Sequence, residues 1–313
     1  MKTMQAKICV VGSSNIDLTF RIPRLPKPGE TISGHAFHIG FGGKGANQAV
    51  MAARLGACVT IVSKVGRDIF GEDMLQNYRT QGIDPSFVSA DAGRSTGVAA
   101  IVVDEAARNC IIVVPGANQG LTAHDIQSAA AVIQGADVLL CQLEIPLETT
   151  LEAFRLVSKT GVKTILNPAP ARDLPEELLR LTDICIPNET ELEITTGQTV
   201  TNLEEAKSAA RILLDRGPRT VIVTLGANGS LVANAQETVH VPAPSVIAVD
   251  PTGAGDAFIG ALGVFLAEGT PMLSAVGRAN AVAALSVTGV GTQSSFPSRP
   301  QAEKFFTTNG LIP

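Results

Sequence analysis

Short β-branched runs alternate with longer helix-forming stretches along most of this chain, and that alternation is its strongest constraint on fold. The strand candidates are Ile8–Val11, Cys58–Val62, Val138–Cys141, Thr164–Leu166, Ile184–Ile186, Val221–Leu225, Leu231–Ala233 and Val246–Val249. Each is nearly continuous in apolar residues, as expected for parallel strands covered on both faces. Between them Gly45–Leu55, Gly71–Gln81, Thr122–Gln134, Leu147–Lys159, Pro175–Leu181 and Asn202–Arg216 read as helices. Gly56, Gly82, Gly135, Gly161 and Gly217 follow five of these as stops. The pattern predicts an α/β fold: a doubly wound, mainly parallel sheet flanked by helices, with right-handed crossovers. At 313 residues, one such domain accounts for the whole of 1–313.

Two segments break the rhythm. Asp17–Ile39 contains the proline-rich stretch Arg21–Glu30, followed by alternation over Thr31–Ile39. Thr96–Val114 reads as a hairpin of Gly97–Asp104 and Asn109–Val114. Together, about 17–39 and 96–114, they are expected to form a small β-sheet lid. Its place would be over the C-terminal edge of the main sheet, where ligands bind in such folds.

Composition narrows the partners. A formal net charge of −5, no basic block, one tyrosine and no tryptophan argue against a nucleic-acid surface. No apolar run approaches the roughly 18 residues of a membrane span. The first, Ile8–Val11, is too short for a signal peptide, so a cytoplasmic location is expected. Five scattered cysteines without a Cys-x-x-Cys spacing read as buried free thiols. His35 and His38 have no acidic or cysteine neighbours in the sequence, which argues against a metal role.

The chemistry concentrates in Asp250-Pro-Thr-Gly-Ala-Gly-Asp256, between the strand candidate Val246–Val249 and the apolar helical run Ala257–Ala267. A glycine-rich turn at a helix N-terminus presents unpaired N–H groups and the positive end of the dipole, which suits a phosphate. Asp256 would repel a passively held phosphate. It is either a helix-start residue or a group facing a hydroxyl that must lose its proton. Gly40-Phe-Gly-Gly-Lys-Gly45 formally matches the dinucleotide fingerprint but does not follow the first buried strand, and it fails as a Walker loop because Gly45, not Ser or Thr, follows Lys44. It remains a glycine-rich helix entry carrying Lys44 and Asn47.

Asn15 and Asp17, two apart beyond the first strand, point the same way in an extended segment and suit a sugar's hydroxyls. Glu144 occupies an equivalent edge beyond Val138–Cys141. Asn188 and Glu191 lie three apart at a helix start, either as a cap or as groups reaching a phosphate–magnesium region. Thr224–Gly229 turns sharply between two strands, its glycines letting backbone lie against a flat or phosphorylated ligand.

In this order the motifs Gly42-Gly-Lys-Gly-Ala-Asn47, Asn167-Pro-Ala-Pro-Ala-Arg172, Pro187-Asn-Glu-Thr-Glu191 and Asp250–Asp256 resemble the ribokinase (phosphofructokinase-B-like) family of carbohydrate kinases. The resemblance covers nearly the whole chain. It implies ATP-dependent phosphorylation of a sugar's primary hydroxyl, with Asp256 as base and Gly253, Ala254 and Gly255 as the anion hole. Asn15, Asp17, Gly43, Lys44, Asn47 and Glu144 match sugar-binding positions. Asn188, Thr224, Gly226, Ala227, Asn228, Gly229, Gly255 and Asn280 match the nucleotide side. The resemblance further implies Mg2+, approached by Glu191 through water. It also implies K+ beside the anion hole, at Asp250, Thr252, Ser286, Gly289, Gly291 and Ser295. The lid would be both substrate cover and homodimer interface. Kinases of deoxyribose tend to carry an apolar residue where Asn15 stands, so the resemblance favours the 5-hydroxyl of D-ribose over 2-deoxyribose. Another sugar or nucleoside, or a non-catalytic sugar sensor, would use the same pocket.

Overall fold

The computed structural model describes residues 5–106 and 108–311. In chain order the strands are β1 (Lys7–Val11), β2 (Asn15–Arg21), β3 (Ala36–Gly42), β4 (Cys58–Gly66), β5 (Asp84–Asp91), β6 (Gly97–Val103) and β7 (Asn109–Val114). They continue with β8 (Val138–Cys141), β9 (Lys163–Leu166), β10 (Ile184–Cys185), β11 (Thr220–Thr224), β12 (Ser230–Asn234) and β13 (Thr238–Val241). The helices are α1 (Lys44–Arg54), α2 (Ile69–Thr80), α3 (Ala123–Ser128), α4 (Ala130–Gln134), α5 (Leu147–Val157) and α6 (Glu176–Arg180). After them come α7 (Glu189–Thr196), α8 (Leu203–Asp215), α9 (Ala254–Ala267), α10 (Met272–Ser286) and α11 (Arg299–Thr308).

Nine strands form the main sheet in the order β13-β12-β11-β10-β9-β8-β1-β4-β5. It is parallel from β5 to β11, and β12 and β13 close it as an antiparallel meander. Alternate side chains of β1 divide between two cores. Ile8 and Val10 join α1, α2, α9, α10 and α11 on one face, while Cys9 and Val11 join α3 to α8 on the other. Both faces are therefore covered, which explains the unbroken apolar runs. From β1 the chain runs outward to β4 and β5, then returns to β8 on β1's other side. That reversal opens a crevice beyond the ends of β1 and β8.

The two segments that break the alternation build a separate four-stranded sheet, ordered β3-β2-β6-β7. Its first strand begins at Asn15, so Asn15 and Asp17 belong to this small sheet rather than to an extension of β1.

Several boundaries differ from expectation. Val246–Val249 is not a strand: Ile247 is 88% and Val249 59% exposed. An apolar β-branched run reads as a buried strand only when a neighbour is available to pair it. Here the segment runs outside the sheet and is held by Val249 N–H and Asp250 N–H donating to Val287 O, at 2.7 and 3.1 Å. The expected helix over Thr122–Gln134 is split at Ala129 into α3 and α4. Of the cysteines, Cys9, Cys141 and Cys185 are buried but Cys58 and Cys110 are exposed. Burial pushes the Cys9 thiol up to about 12, which makes it inert. His35 does find an acidic neighbour, Glu105, at 3.0 Å on the surface. Among the described residues no helix is long and apolar enough to cross a membrane.

Candidate active site

The crevice between β1 and β8 gathers side chains from four separate elements. Beyond β1, Ser13 Oγ donates to Glu144 Oε2, which lies beyond β8. The same carboxylate oxygen accepts from Lys44 N–H at 3.0 Å, at the start of α1. Asp17 projects from β2 over Gly42, where a Cβ would come within 2.2 Å of Oδ1, so only glycine leaves room for this carboxylate. Burial first, and then the charges of Glu144 and Asp256, push Asp17 up to about 7.

Asn15 is buried, and its Oδ1 accepts from Asn118 Nδ2 at 2.7 Å. Asn118 is itself fixed by Ser14, accepting from its N–H at 2.8 Å and donating to its carbonyl at 3.2 Å. Asn15 Nδ2 has no protein partner among the described residues, which leaves it a free donor.

Asp256 sits in the first turn of α9, a helix apolar on all sides and therefore buried. Gly253 caps it at φ 80°, a left-handed conformation that a side chain would strain. Ala254 N–H turns back onto Pro251 O at 3.2 Å. Among the described residues the N–H groups of Gly253, Gly255 and Asp256 have no protein acceptor, which leaves three donors at the positive end of the dipole. Asp256 is 7% exposed, and it accepts from Asn47 Nδ2 at 2.9 Å and Gln48 Nε2 at 3.0 Å. Burial raises its pKa, against the opposing pull of Lys44 and these two amides. Burial also works against the charge of Lys44, but Asp256, Glu144 and Glu191 outweigh it, and the Lys44 pKa is raised. The site is thus a buried carboxylate beside a half-buried ammonium, facing free backbone donors.

The remaining candidate residues fall into two groups. Asn188 and Glu191 form a capping box at the start of α7: Asn188 Oδ1 accepts from Glu191 N–H at 2.8 Å, and Glu191 Oε2 from Asn188 N–H at 2.9 Å. Burial nonetheless raises the Glu191 pKa, and Lys44 and Asp256 act on it electrostatically. Asn188 bridges to Thr224, from which Gly226, Ala227 and Asn228 turn tightly to Gly229. Asn280 points inward, accepting from Ser230 Oγ at 2.6 Å and donating to Val241 O at 3.0 Å, so its amide ties α10 to the terminal meander. Asp250 Oδ1 accepts from Thr252 N–H and Oγ1, and its Oδ2 from Gly291 N–H at 2.9 Å. Gly289 abuts Ser295, while Ser286 closes α10 by donating to Ala283 O. Burial opposes the charge of Asp250, but its hydrogen bonds from Thr252 and Gly291 together outweigh that and lower its pKa.

Known proteins resemble this chain in sequence and in fold. A family described as pfkB family carbohydrate kinase matches residues 5–299. The chain belongs to the pfkB family of carbohydrate kinases. It is 48% identical to the ribokinase of Mus musculus, over 93% of this chain and 92% of that protein. It is 43% identical to the deoxyribokinase of Salmonella typhi, over 96% of this chain and 99% of that one. The structure of Arabidopsis thaliana ribokinase complexed with ribose and ATP superposes with a TM-score of 0.89 at 32% identity, covering 96% of this chain and 99% of that one. The protein is accordingly a ribokinase-family carbohydrate kinase.

In this pfkB-family chain, sequence reading found Asn47 but missed Gln48, the other amide on Asp256, and Gln142 behind it. Gln48 follows Asn47 directly, and Gln142 precedes Glu144 by two residues, yet neither was singled out. The available signal was a glutamine inside the alanine-rich helical run Gly45–Leu55, where a polar side chain on a core-facing helix needs a partner. Gln293, Asn77 and Asn118 gave no local signal, because their partners lie 216 and about a hundred residues away.

Proposed function

We propose that this kinase transfers the γ-phosphoryl group of ATP to the 5-hydroxyl of D-ribose. The observation that carries this reading is a buried carboxylate, Asp256, in the same helical turn as unpaired N–H groups of Gly253 and Gly255. Asp256 takes the proton of the attacking hydroxyl as the O–P bond forms, the bond to the β-phosphate oxygen breaks, and ADP leaves. The free N–H groups hold charge on the transferring phosphoryl oxygens. Lys44 balances the cluster of Asp17, Glu144 and Asp256 that would otherwise repel the nucleotide.

Ribose selectivity rests on Asn15. With its oxygen committed to Asn118, its amide donates to the 2-hydroxyl while Asp17 accepts from the sugar. A 2-deoxy sugar leaves that buried donor unpaired, at about 1–3 kcal/mol. The likeness to a deoxyribokinase makes 2-deoxyribose the second reading, and Asn15 is the residue that separates the two.

Asn188, Thr224 and the Gly226–Gly229 turn offer the nucleotide side an exposed backbone surface. Glu191 Oε1 has no protein partner among the described residues, so it fits a magnesium ion held through water. Asp250 with the hydroxyl and carbonyl oxygens of Thr252, Ser286, Gly289, Gly291 and Ser295 fits a large monovalent ion such as potassium. When bound, these ions supply charge neutralisation and fix the turn. The small sheet serves as a lid, and its apolar face as a homodimer contact in a cytoplasmic enzyme.

A sugar panel with ATP and magnesium, run with and without potassium, tests the reading. Turnover with ribose should exceed that with 2-deoxyribose at least tenfold in kcat/KM, and potassium should raise it. An equal or reversed ratio would overturn the ribose assignment, and ribose binding without transfer would favour the sensor.

A further inference from the structure

Two files of buried side-chain amides converge on the Asp256 carboxylate. In the first, Gln142 Nε2 donates to Gln48 Oε1 at 2.6 Å, and Gln48 Nε2 donates to Asp256 Oδ1 at 3.0 Å. Gln48 Nε2 also lies 3.5 Å from Asn167 Oδ1. In the second, Asn77 Nδ2 donates to Gln293 Oε1 at 3.0 Å and Gln293 Nε2 to Asn47 Oδ1 at 3.0 Å. Asn47 Nδ2 then donates to Asp256 Oδ2 at 2.9 Å. None of the five amide residues is more than 8% exposed.

The direction of both files follows from where they end. An ionised carboxylate only accepts, so the last amide turns its NH2 towards it, and each amide behind must do the same. The far end of the first file shows the consequence. Gln142 Oε1 is buried with no hydrogen-bond partner, an arrangement uncommon in native proteins. Turning Gln142 over would set its oxygen against Gln48 Oε1 instead.

We propose that Gln48 and Gln293 are positioning residues for phosphoryl transfer. Gln48 holds one oxygen of the base directly, and Gln293 holds Asn47 on the other. Each carboxylate oxygen keeps a free lone pair for the substrate hydroxyl. The proposal rests on Asp256 being the base. Gln293 lies in the loop between Gly291 and Ser295, so the second file also ties the candidate cation loop to the base and, through Asn77, to α2. The charged groups facing Asp256 are Lys44 from α1, Asp17 from β2, Glu144 beyond β8 and Glu191 from α7. Against that fixed background, each donor favours the anion, and its removal raises the base's pKa.

Gln48→Met and Gln293→Met keep side-chain volume and remove the donors. The readout is the pH profile of kcat at saturating sugar and ATP, which reports the bound complex and so leaves out the Asp17 ionisation of the free enzyme. The acid limb should move up by about half to one unit in Gln48→Met and less in Gln293→Met, with kcat at pH 7 falling about tenfold and the KM for ATP unchanged. A purely structural role would lower the amount of folded enzyme without moving the limb. Folded variants with a wild-type limb would overturn the proposal. If Gln48→Met does not fold, Gln293→Met decides alone. A wild-type enzyme without an acid limb, or an Asp256→Asn variant that keeps turnover, would overturn the base assignment and this proposal with it. An unshifted variant beside a wild type that shows the limb overturns the proposal only.

Discussion

Asp17 shows how a single residue sets function against stability. Its carboxylate is held at about 7 by burial and by two neighbouring acids, against about 3.9 in an unfolded chain. Between those values the native state keeps a proton that the unfolded state has lost, so stability falls as pH rises through the window. Above it the penalty is complete; below about 4 it vanishes. Asp17→Asn should therefore raise the melting temperature by several degrees at pH 8 and leave it unchanged near pH 4. On the sugar-binding role proposed for Asp17, the same change should raise the sugar KM at least a hundredfold, because a neutral amide with one acceptor oxygen replaces the carboxylate. Melting curves at the two pH values, with steady-state kinetics, check both effects. A variant no more stable than wild type at pH 8 would show that Asp17 carries no such penalty.

At the scale of elements, the α9 N-terminus depends on Gly253. Its φ of 80° and a Cβ position 2.3 Å from Thr292 Cγ2 make alanine doubly unfavourable. Gly253→Ala should destabilise the protein by about 1–3 kcal/mol and shift the free N–H groups of the helix start, lowering kcat more than it raises either KM. Denaturant melts and kinetics together test this; wild-type kcat in a destabilised variant would separate the turn's conformation from its chemistry. The element pattern itself was largely legible, since the parallel strands are buried on both faces and helices such as α1, α5 and α8 carry one apolar stripe. Val246–Val249 was not, because an apolar run does not reveal whether a neighbouring strand lies within reach. β5, at the sheet's edge, was missed because its mixed pattern resembles a loop.

On the scale of the whole molecule, the small sheet leaves one face uncovered. Phe20, Phe37, Ile39, Ile112 and Val114 are 37%, 50%, 57%, 59% and 47% exposed and share the face opposite Asp17 by strand register. Phe20 and Phe37 stack with centroids 4.9 Å apart. An apolar patch of this kind favours a second copy of the chain. Ile112→Glu should convert the proposed dimer to a monomer by light scattering coupled to gel filtration, and should raise the sugar KM if the small sheet acts as the proposed lid. A wild type that is already monomeric at micromolar concentration would remove this role from the small sheet.

The sequence by itself determined the α/β layering, the position of the inserted small sheet and the motif carrying Asp256. These follow from local periodicity and from glycine turns whose conformational needs are written in a few adjacent residues. Only the tertiary structure decided how Asp256 and Asn15 are held. Gln48 and Gln142 come from α1 and the end of β8, Gln293 from the loop after α10, and Asn118 from the turn after the small sheet. Their hydrogen bonds span 94 to 246 residues of chain, and a buried amide's partner is set by which elements the fold brings together.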